Sequence, residues 1–176
     1  MAYWCLNEVQ AEALRAIVTG NVVHDLGAGD LSLAEQLLDF GATQVIAIEK
    51  EPPPRKHSDN ITYFKGYFKD YYSPIDIALL SWPPNYCIGL PRLVKRARIA
   101  IYLGKNTDGT ACGSPELFGH LLNREISVYL PDRHNTLICY EGPVTTRRKP
   151  RGEEVAAISC GRADPVLLFE EVEGSL

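Results

Sequence analysis

Asn21–Lys50 reads NVVHDLGAGDLSLAEQLLDFGATQVIAIEK. An apolar run, Val22-Val23, continues through His24-Asp25-Leu26 into a glycine turn, Gly27-Ala28-Gly29. A helical pattern follows, with Leu31, Leu33, Ala34, Leu37 and Leu38 on one broad apolar face, and Gly41 stops it. A second apolar run, Val45-Ile46-Ala47-Ile48, ends in an acid, Glu49. Strand, tight turn, helix, strand, acid is one βαβ unit, in the ~30 residues such a unit needs. Glycines let the backbone bend sharply and approach a ligand closely, because they carry no Cβ. An acid at the end of the second strand can accept hydrogen bonds from two adjacent ribose hydroxyls. The plain alternative is an ordinary βαβ unit with a glycine turn and no ligand.

Two nucleotide-type ligands compete for this turn. A dinucleotide site wants G-x-G-x-x-G, whose third glycine allows close helix–strand packing beneath a pyrophosphate. Ser32 stands at that third position. Asp25, two residues before the first glycine, would repel a pyrophosphate but suits a ligand carrying an amino group. With Asp25, Gly27, Gly29 and Glu49 in these places, the stretch resembles motif I of the class I S-adenosylmethionine-dependent methyltransferases. The resemblance implies S-adenosylmethionine as cofactor and puts Glu49 in the place of that family's ribose-binding acid.

Totals bound the rest. The chain has 176 residues, 45% of them hydrophobic, which suits one domain with a real core, 1–176. Net charge is -4 and the pI is about 5.6, so no global basic field draws in nucleic acid. No apolar run is long enough to span a membrane, and MAYWCLNEVQAE lacks the basic and apolar regions of a signal peptide. The expectation is a cytoplasmic protein with no membrane contact. The five cysteines, Cys5, Cys87, Cys112, Cys139 and Cys160, are scattered and form no CxxC pair. The four histidines show no ligand spacing, so neither a metal nor a disulfide framework is expected.

Residues 7–19 read as a helix with Asn7 as N-cap. Tyr3 and Trp4 precede it and either tether the terminus or cover the ligand. Between Glu49 and Ile61, three consecutive prolines, Pro52–Pro54, forbid a helix. The family commonly has one there, so this domain is a shortened version. Ile61–Phe64 reads as the third strand and 67–72 as one short helical turn. By resemblance the loop after this strand contacts the adenine, through Gly66 and Tyr67; core packing is the plain alternative for Tyr67.

Residues 75–80 form a buried fourth strand that runs into Ser81-Trp82-Pro83-Pro84-Asn85-Tyr86. Ligands of open α/β sheets sit at the carboxyl ends of the strands, so this loop faces the transferred methyl group. Prolines stiffen it; Trp82 and Tyr86 offer flat apolar surfaces and Asn85 an amide. The segment resembles motif IV of amino methyltransferases acting on adenine or glutamine. It departs from that motif in having Trp82 inserted after Ser81, and Asn85 where an aromatic belongs. Ser81, Trp82, Pro83 and Asn85 are the candidate acceptor-side residues, with Ser81 also touching the cofactor. A rigid turn capping a strand is the alternative. Cys87 lacks the preceding proline of cytosine methyltransferases, which disfavours covalent chemistry at cytosine.

Residues 89–97 read as a short helix with Arg92, Lys95 and Arg96 outward, and 98–103 as the fifth strand. Loop 104–113 follows, then a helix from N-cap Ser114 to about Glu125. Strands are expected at 126–130, 135–141, 154–160 and 165–172. Without helices between them they pair antiparallel. Arg147-Arg148-Lys149-Pro150-Arg151 could hold a phosphate-bearing partner, although such runs are usually solvated loops.

The expectation is therefore an α/β fold: a mostly parallel, Rossmann-like sheet, helices on both faces, and an antiparallel C-terminal hairpin. The expected function is S-adenosylmethionine-dependent methyl transfer to a small-molecule or protein acceptor. Rivals are an adenine amino methyltransferase of nucleic acid working through Arg147–Arg151, a non-catalytic cofactor-binding or partner subunit, and a nicotinamide-dependent oxidoreductase.

Overall fold

A computed structural model describes residues 6–51, 57–84, 87–105, 113–132 and 135–142. Among these described residues four helices, α1 (Glu8–Val18), α2 (Ser32–Asp39), α3 (Leu90–Arg96) and α4 (Pro115–Leu121), flank seven strands. These are β1 (Val22–Leu26), β2 (Gln44–Glu49), β3 (Ile61–Lys65), β4 (Ile77–Ser81), β5 (Ile99–Gly104), β6 (Glu125–Pro131) and β7 (Thr136–Glu141). They form one sheet in the order β3-β2-β1-β4-β5-β7-β6. The pairings from β3 through β5 are parallel, and β7 inserts antiparallel between β5 and β6. The sheet type and antiparallel end expected from the sequence are the ones adopted.

Strand alternation sorts the core into two layers. Val23, Val45, Ile77, Leu79, Ile101 and Leu137 face α1 and α2. Leu26, Ile48, Leu80, Tyr102, Ile138 and Tyr140 face α3 and α4. The strand order reverses between β1 and β4, which is where a doubly wound sheet opens a crevice at its carboxyl edge.

Local chemistry sets the helix ends. Asn7 caps α1 with a reciprocal box: Gln10 N–H donates to Asn7 Oδ1 at 2.8 Å, and Asn7 N–H donates to Gln10 Oε1 at 3.3 Å. Ser114 caps α4 through the Leu117 N–H. That helix stops at Leu121, short of the expected Glu125. Asn123 Nδ2 donates back to the Gly119 carbonyl. The buried Arg124 guanidinium turns to the carbonyls of Val94 and Ala97 at the end of α3, where a cation also complements the helix dipole. Glu125 then opens β6 opposite Glu141. Leu31 does not join the stripe of α2; it is the N-cap, buried, in the left-handed region at φ 66°.

Residues 50–51 and 57–60 hold no helix; the prolines on which the expectation of a shortened β2–β3 connection rests lie outside the described residues. A single 3-10 turn, Phe68–Asp70, connects β3 to β4. The strands expected at 154–160 and 165–172 also lie outside the described residues.

Candidate functional site

The glycine turn closes onto β2. Gly27 N–H donates to the Ile48 carbonyl at 2.9 Å, and Gly29 N–H to the Glu49 carboxylate at 3.3 Å. Gly27 and Gly29 have φ of 92° and 54°, a region that would cost another residue about 1–2 kcal/mol. A Cβ at Gly29 would meet open space, and one at Gly27 only the Phe68 ring at 3.8 Å. The backbone here is therefore open to a ligand, with Phe68 at its border.

Asp25 lies beneath the turn, 1% exposed, and neither carboxylate oxygen has a hydrogen-bond partner among the described residues. Burial, reinforced by Glu49 and Asp30, pushes its pKa up to about 7. Buried carboxylates are ordinarily paired or hydrogen-bonded. Three carboxylates around one glycine turn make a site for a cationic group and a poor one for a pyrophosphate. Glu49 is half-buried, and its other oxygen accepts from the Lys50 N–H at 2.8 Å. Asp30 was not anticipated as part of this cluster; its side chain also accepts from the Ser32 N–H at 3.0 Å at the start of α2.

Gly66 joins the same edge, its N–H donating to the Glu49 carbonyl at 3.0 Å. The Tyr67 ring is 60% exposed, with the Lys69 ammonium 5.6 Å from its centre. Tyr67 is thus at the surface rather than in the core.

Ser81 ends β4, two residues beyond Leu79, the register partner of Asp25. Trp82 follows with φ 47°, a conformation rarely adopted by a bulky residue. Its backbone N–H donates to the Leu103 carbonyl at 2.7 Å and its indole N–H to Asn135 Oδ1 at 3.0 Å. Asn135 is buried, and its carbonyl accepts from Gln10 Nε2 at 3.1 Å. Gln10 Nε2 also donates to the Leu130 carbonyl at 2.9 Å. A chain of amides thus runs from the first turn of α1 to a half-buried tryptophan at the sheet edge. Pro83 is buried and Pro84 exposed. Asn85 and Tyr86 lie outside the described residues, as do Tyr3, Trp4, most of loop 104–113 and Arg147–Arg151.

The structure brings Asp25, Gly27, Gly29, Glu49 and Gly66 together, with Ser81 on the adjoining strand. Phe68, Gln10 and Asn135 were not anticipated. Only Gln10 had a local signal, as the third residue after the Asn7 cap; the other two meet the site through tertiary contacts alone.

Among the described residues no cluster of metal-ligating side chains is present, and no helix is long and apolar enough to cross a membrane. Cys139 is buried and free. Burial raises the Cys87 thiol, the opposite of what a reactive thiolate needs.

No family model and no curated protein sequence matches the chain. Solved structures do. A proposed RNA methyltransferase from Pyrococcus horikoshii aligns with TM-score 0.54 at 16% identity, over 80% of this chain and 88% of that one. The Burkholderia thailandensis 1,6-didemethyltoxoflavin-N1-methyltransferase, crystallised with S-adenosylhomocysteine, aligns with TM-score 0.56 at 14% identity, over 76% and 78%. An uncharacterized protein from Listeria monocytogenes serotype 4b gives TM-score 0.58 at 14% identity, over 89% and 76%. The fold is that of the class I methyltransferases. At these identities the likeness concerns the fold, and activity has to be argued from the site.

Proposed function

We propose that this protein is an S-adenosylmethionine-dependent methyltransferase. The observation that carries the reading is the buried, partnerless carboxylate of Asp25 within a three-carboxylate cluster at an open glycine turn. Asp25 would hold the cofactor's ammonium group, and Glu49 its ribose hydroxyls. Gly27 and Gly29 would admit its chain, with Gly66, Tyr67 and Ser81 completing the pocket. When bound, the cofactor supplies a methyl group already activated on a sulfonium. The protein's task is to align a nucleophile with that methyl and exclude water. Ser81, Trp82 and Pro83, together with Asn85, would form the acceptor side. Trp82 presents a flat surface whose tilt is set by Asn135, and a preorganised loop avoids ordering itself when the acceptor binds. The acceptor is a small molecule, a protein side chain or a nucleic-acid base. The reaction is assigned to the cytoplasm, in keeping with cysteines that are scattered through the sequence with no CxxC pair.

Isothermal calorimetry tests the reading. S-adenosylmethionine or its demethylated product should bind, and NAD should bind weakly or not at all. Binding of NAD with no response to either sulfur compound would end it. Binding of the cofactor without methyl transfer to any acceptor would point instead to a non-catalytic subunit.

A further inference from the structure

The segment 57–98 carries six Lys or Arg against three Asp and no Glu, in a chain whose net charge is -4. The structure gathers part of this excess on one surface. Every exposed residue of α3, namely Arg92, Lys95 and Arg96, is a cation. Arg92 and Arg96 are not loose. Arg92 Nη2 donates to the Lys69 carbonyl at 2.6 Å and the Tyr71 carbonyl at 3.3 Å. Arg96 Nη2 donates to the carbonyls of Tyr72 and Ser73. Gly89, just before α3, lies against the Lys69 backbone so closely that a Cβ would meet its nitrogen at 2.6 Å. The 67–73 segment and α3 are thus laced into one platform. Carbonyls satisfy the guanidinium donors without neutralising their charge.

Large apolar side chains stand exposed on the same platform: Tyr67 at 60%, Tyr72 at 70% and Ile88 at 83%. Cations accompany both rings, Lys69 over Tyr67 at 5.6 Å and Arg92 over Tyr72 at 4.9 Å. Of the nearby acids, Asp76 is paired with Arg98 and Asp70 lies within the 3-10 turn. The platform begins beside Gly66, at the edge where the glycine turn opens, and runs down α3. Exposed aromatics interleaved with fixed cations are what a single strand requires, since bases stack on the rings while phosphates follow the charge. A lipid surface would want a continuous apolar face, and a protein partner fewer uncompensated cations at its centre.

We propose that the surface formed by Lys69, Tyr72, Ile88 and the outer face of α3 binds single-stranded nucleic acid next to the site, which it meets at Tyr67. Its role as a feeder of the acceptor rests on the methyltransferase reading; the binding itself does not. The test is fluorescence anisotropy with short labelled single-stranded RNA and DNA at two salt concentrations, alongside a duplex and anionic vesicles. Single strands should bind in preference to duplex, and affinity should fall steeply with salt. Replacing Lys69 and Lys95 by Ala should flatten the log–log salt slope by about 1.4, two phosphate contacts at ~0.7 each. Tyr72→Ser should weaken binding by roughly 5- to 150-fold, as loss of one stacking platform does. None of these three exposed positions belongs to the cofactor pocket, so calorimetric cofactor binding should not change. No strand binding at low salt, preference for vesicles or duplex, or affinity indifferent to these substitutions would each overturn the proposal. Strand binding without any cofactor binding would leave it standing and remove the methyltransferase reading instead.

Discussion

The glycine turn at 27–30 and the proline turn at 81–84 lie at one edge of the sheet, at the ends of neighbouring strands, and are built in opposite ways. The first uses glycines where the backbone turns left-handed and leaves Asp25 buried with no partner. The second puts a tryptophan into the left-handed region and ties its indole through Asn135 to Gln10. Strain and an unmet carboxylate both reduce stability, but they serve different ends. On the methyltransferase reading proposed above, the unmet group at the first turn is the one that a ligand would supply with its missing bonds. The anchored ring at the second already has its geometry set from within the chain. Substitutions at the two turns should therefore move stability and ligand binding in different directions.

Asp25 gives the largest expected effect. Its carboxyl is pushed up from 3.8 to about 7 in the folded chain. The folded state therefore holds this proton where the unfolded state has lost it. The stability it contributes is full below about pH 4 and is lost as pH rises through about 7. Asp25→Asn should remove that loss and raise the melting temperature of the ligand-free protein at pH 8, by about 2–4 °C for each kcal/mol regained. The same substitution should weaken S-adenosylmethionine binding by about 1.5–3 kcal/mol, the range for a hydrogen bond to a charged group. A variant that melts lower and binds equally well would make Asp25 a structural residue and erase the contrast.

Gln10→Ala should do the reverse. It strips the donor from two carbonyls, Leu130 and Asn135, and breaks the capping box of α1. A loss of about 1–3 kcal/mol in urea melts is expected, with the cofactor dissociation constant unchanged. Asn135→Ala should act one step closer to the acceptor and more mildly on stability. In a Trp4→Phe background Trp82 is the sole tryptophan, so its emission reports the ring directly. We expect a changed spectrum and methyl transfer slowed about tenfold, ~1.4 kcal/mol of barrier, with Asn135→Asp restoring much of both because it retains an acceptor. An unchanged spectrum would show that Asn135 does not hold the ring.

These two turns also mark where a sequence can and cannot be read. The βαβ unit was legible because its signals are local: two apolar runs, two glycines and two acids within one short stretch. The same holds for the Asn7 cap and for the proline-started α4. Asp30 carries no distinct signal, because an acid near a helix start has an ordinary use there. Gln10, Asn135 and Phe68 meet the site across 125, 53 and about 40 residues of chain respectively, distances over which no pattern speaks. The left-handed Trp82 was equally hidden, because only glycine advertises that conformation. Arg92, Lys95 and Arg96 read as the outer side of their helix and lie exposed there, but the tertiary carbonyls that fix Arg92 and Arg96 leave no trace in the sequence.

The smallest effect expected belongs to His24, the neighbour of Asp25 on β1, which points to the opposite layer. Its Nε2 lies 3.0 Å from the Tyr71 hydroxyl, and the Tyr71 ring packs edge-on against both His24 and Phe64. Burial lowers its pKa, opposed by the Ile77 backbone and by Asp76. The folded state therefore resists the proton that the unfolded histidine accepts near 6.5. Its contribution to stability is present above that pH and is lost as pH falls below it, the opposite slope to that of Asp25. In wild-type protein the two slopes overlap and mask one another. In Asp25→Asn the histidine limb should stand alone, with urea midpoints falling as pH drops from about 7 to about 5, where histidine alone ordinarily titrates. Adding His24→Gln should flatten that limb while lowering stability at pH 8, where the imidazole–phenol bond is intact. Parallel pH profiles with and without the histidine would show that His24 protonates as freely in the fold as outside it. The two faces of β1 would then differ in one titrating residue rather than two.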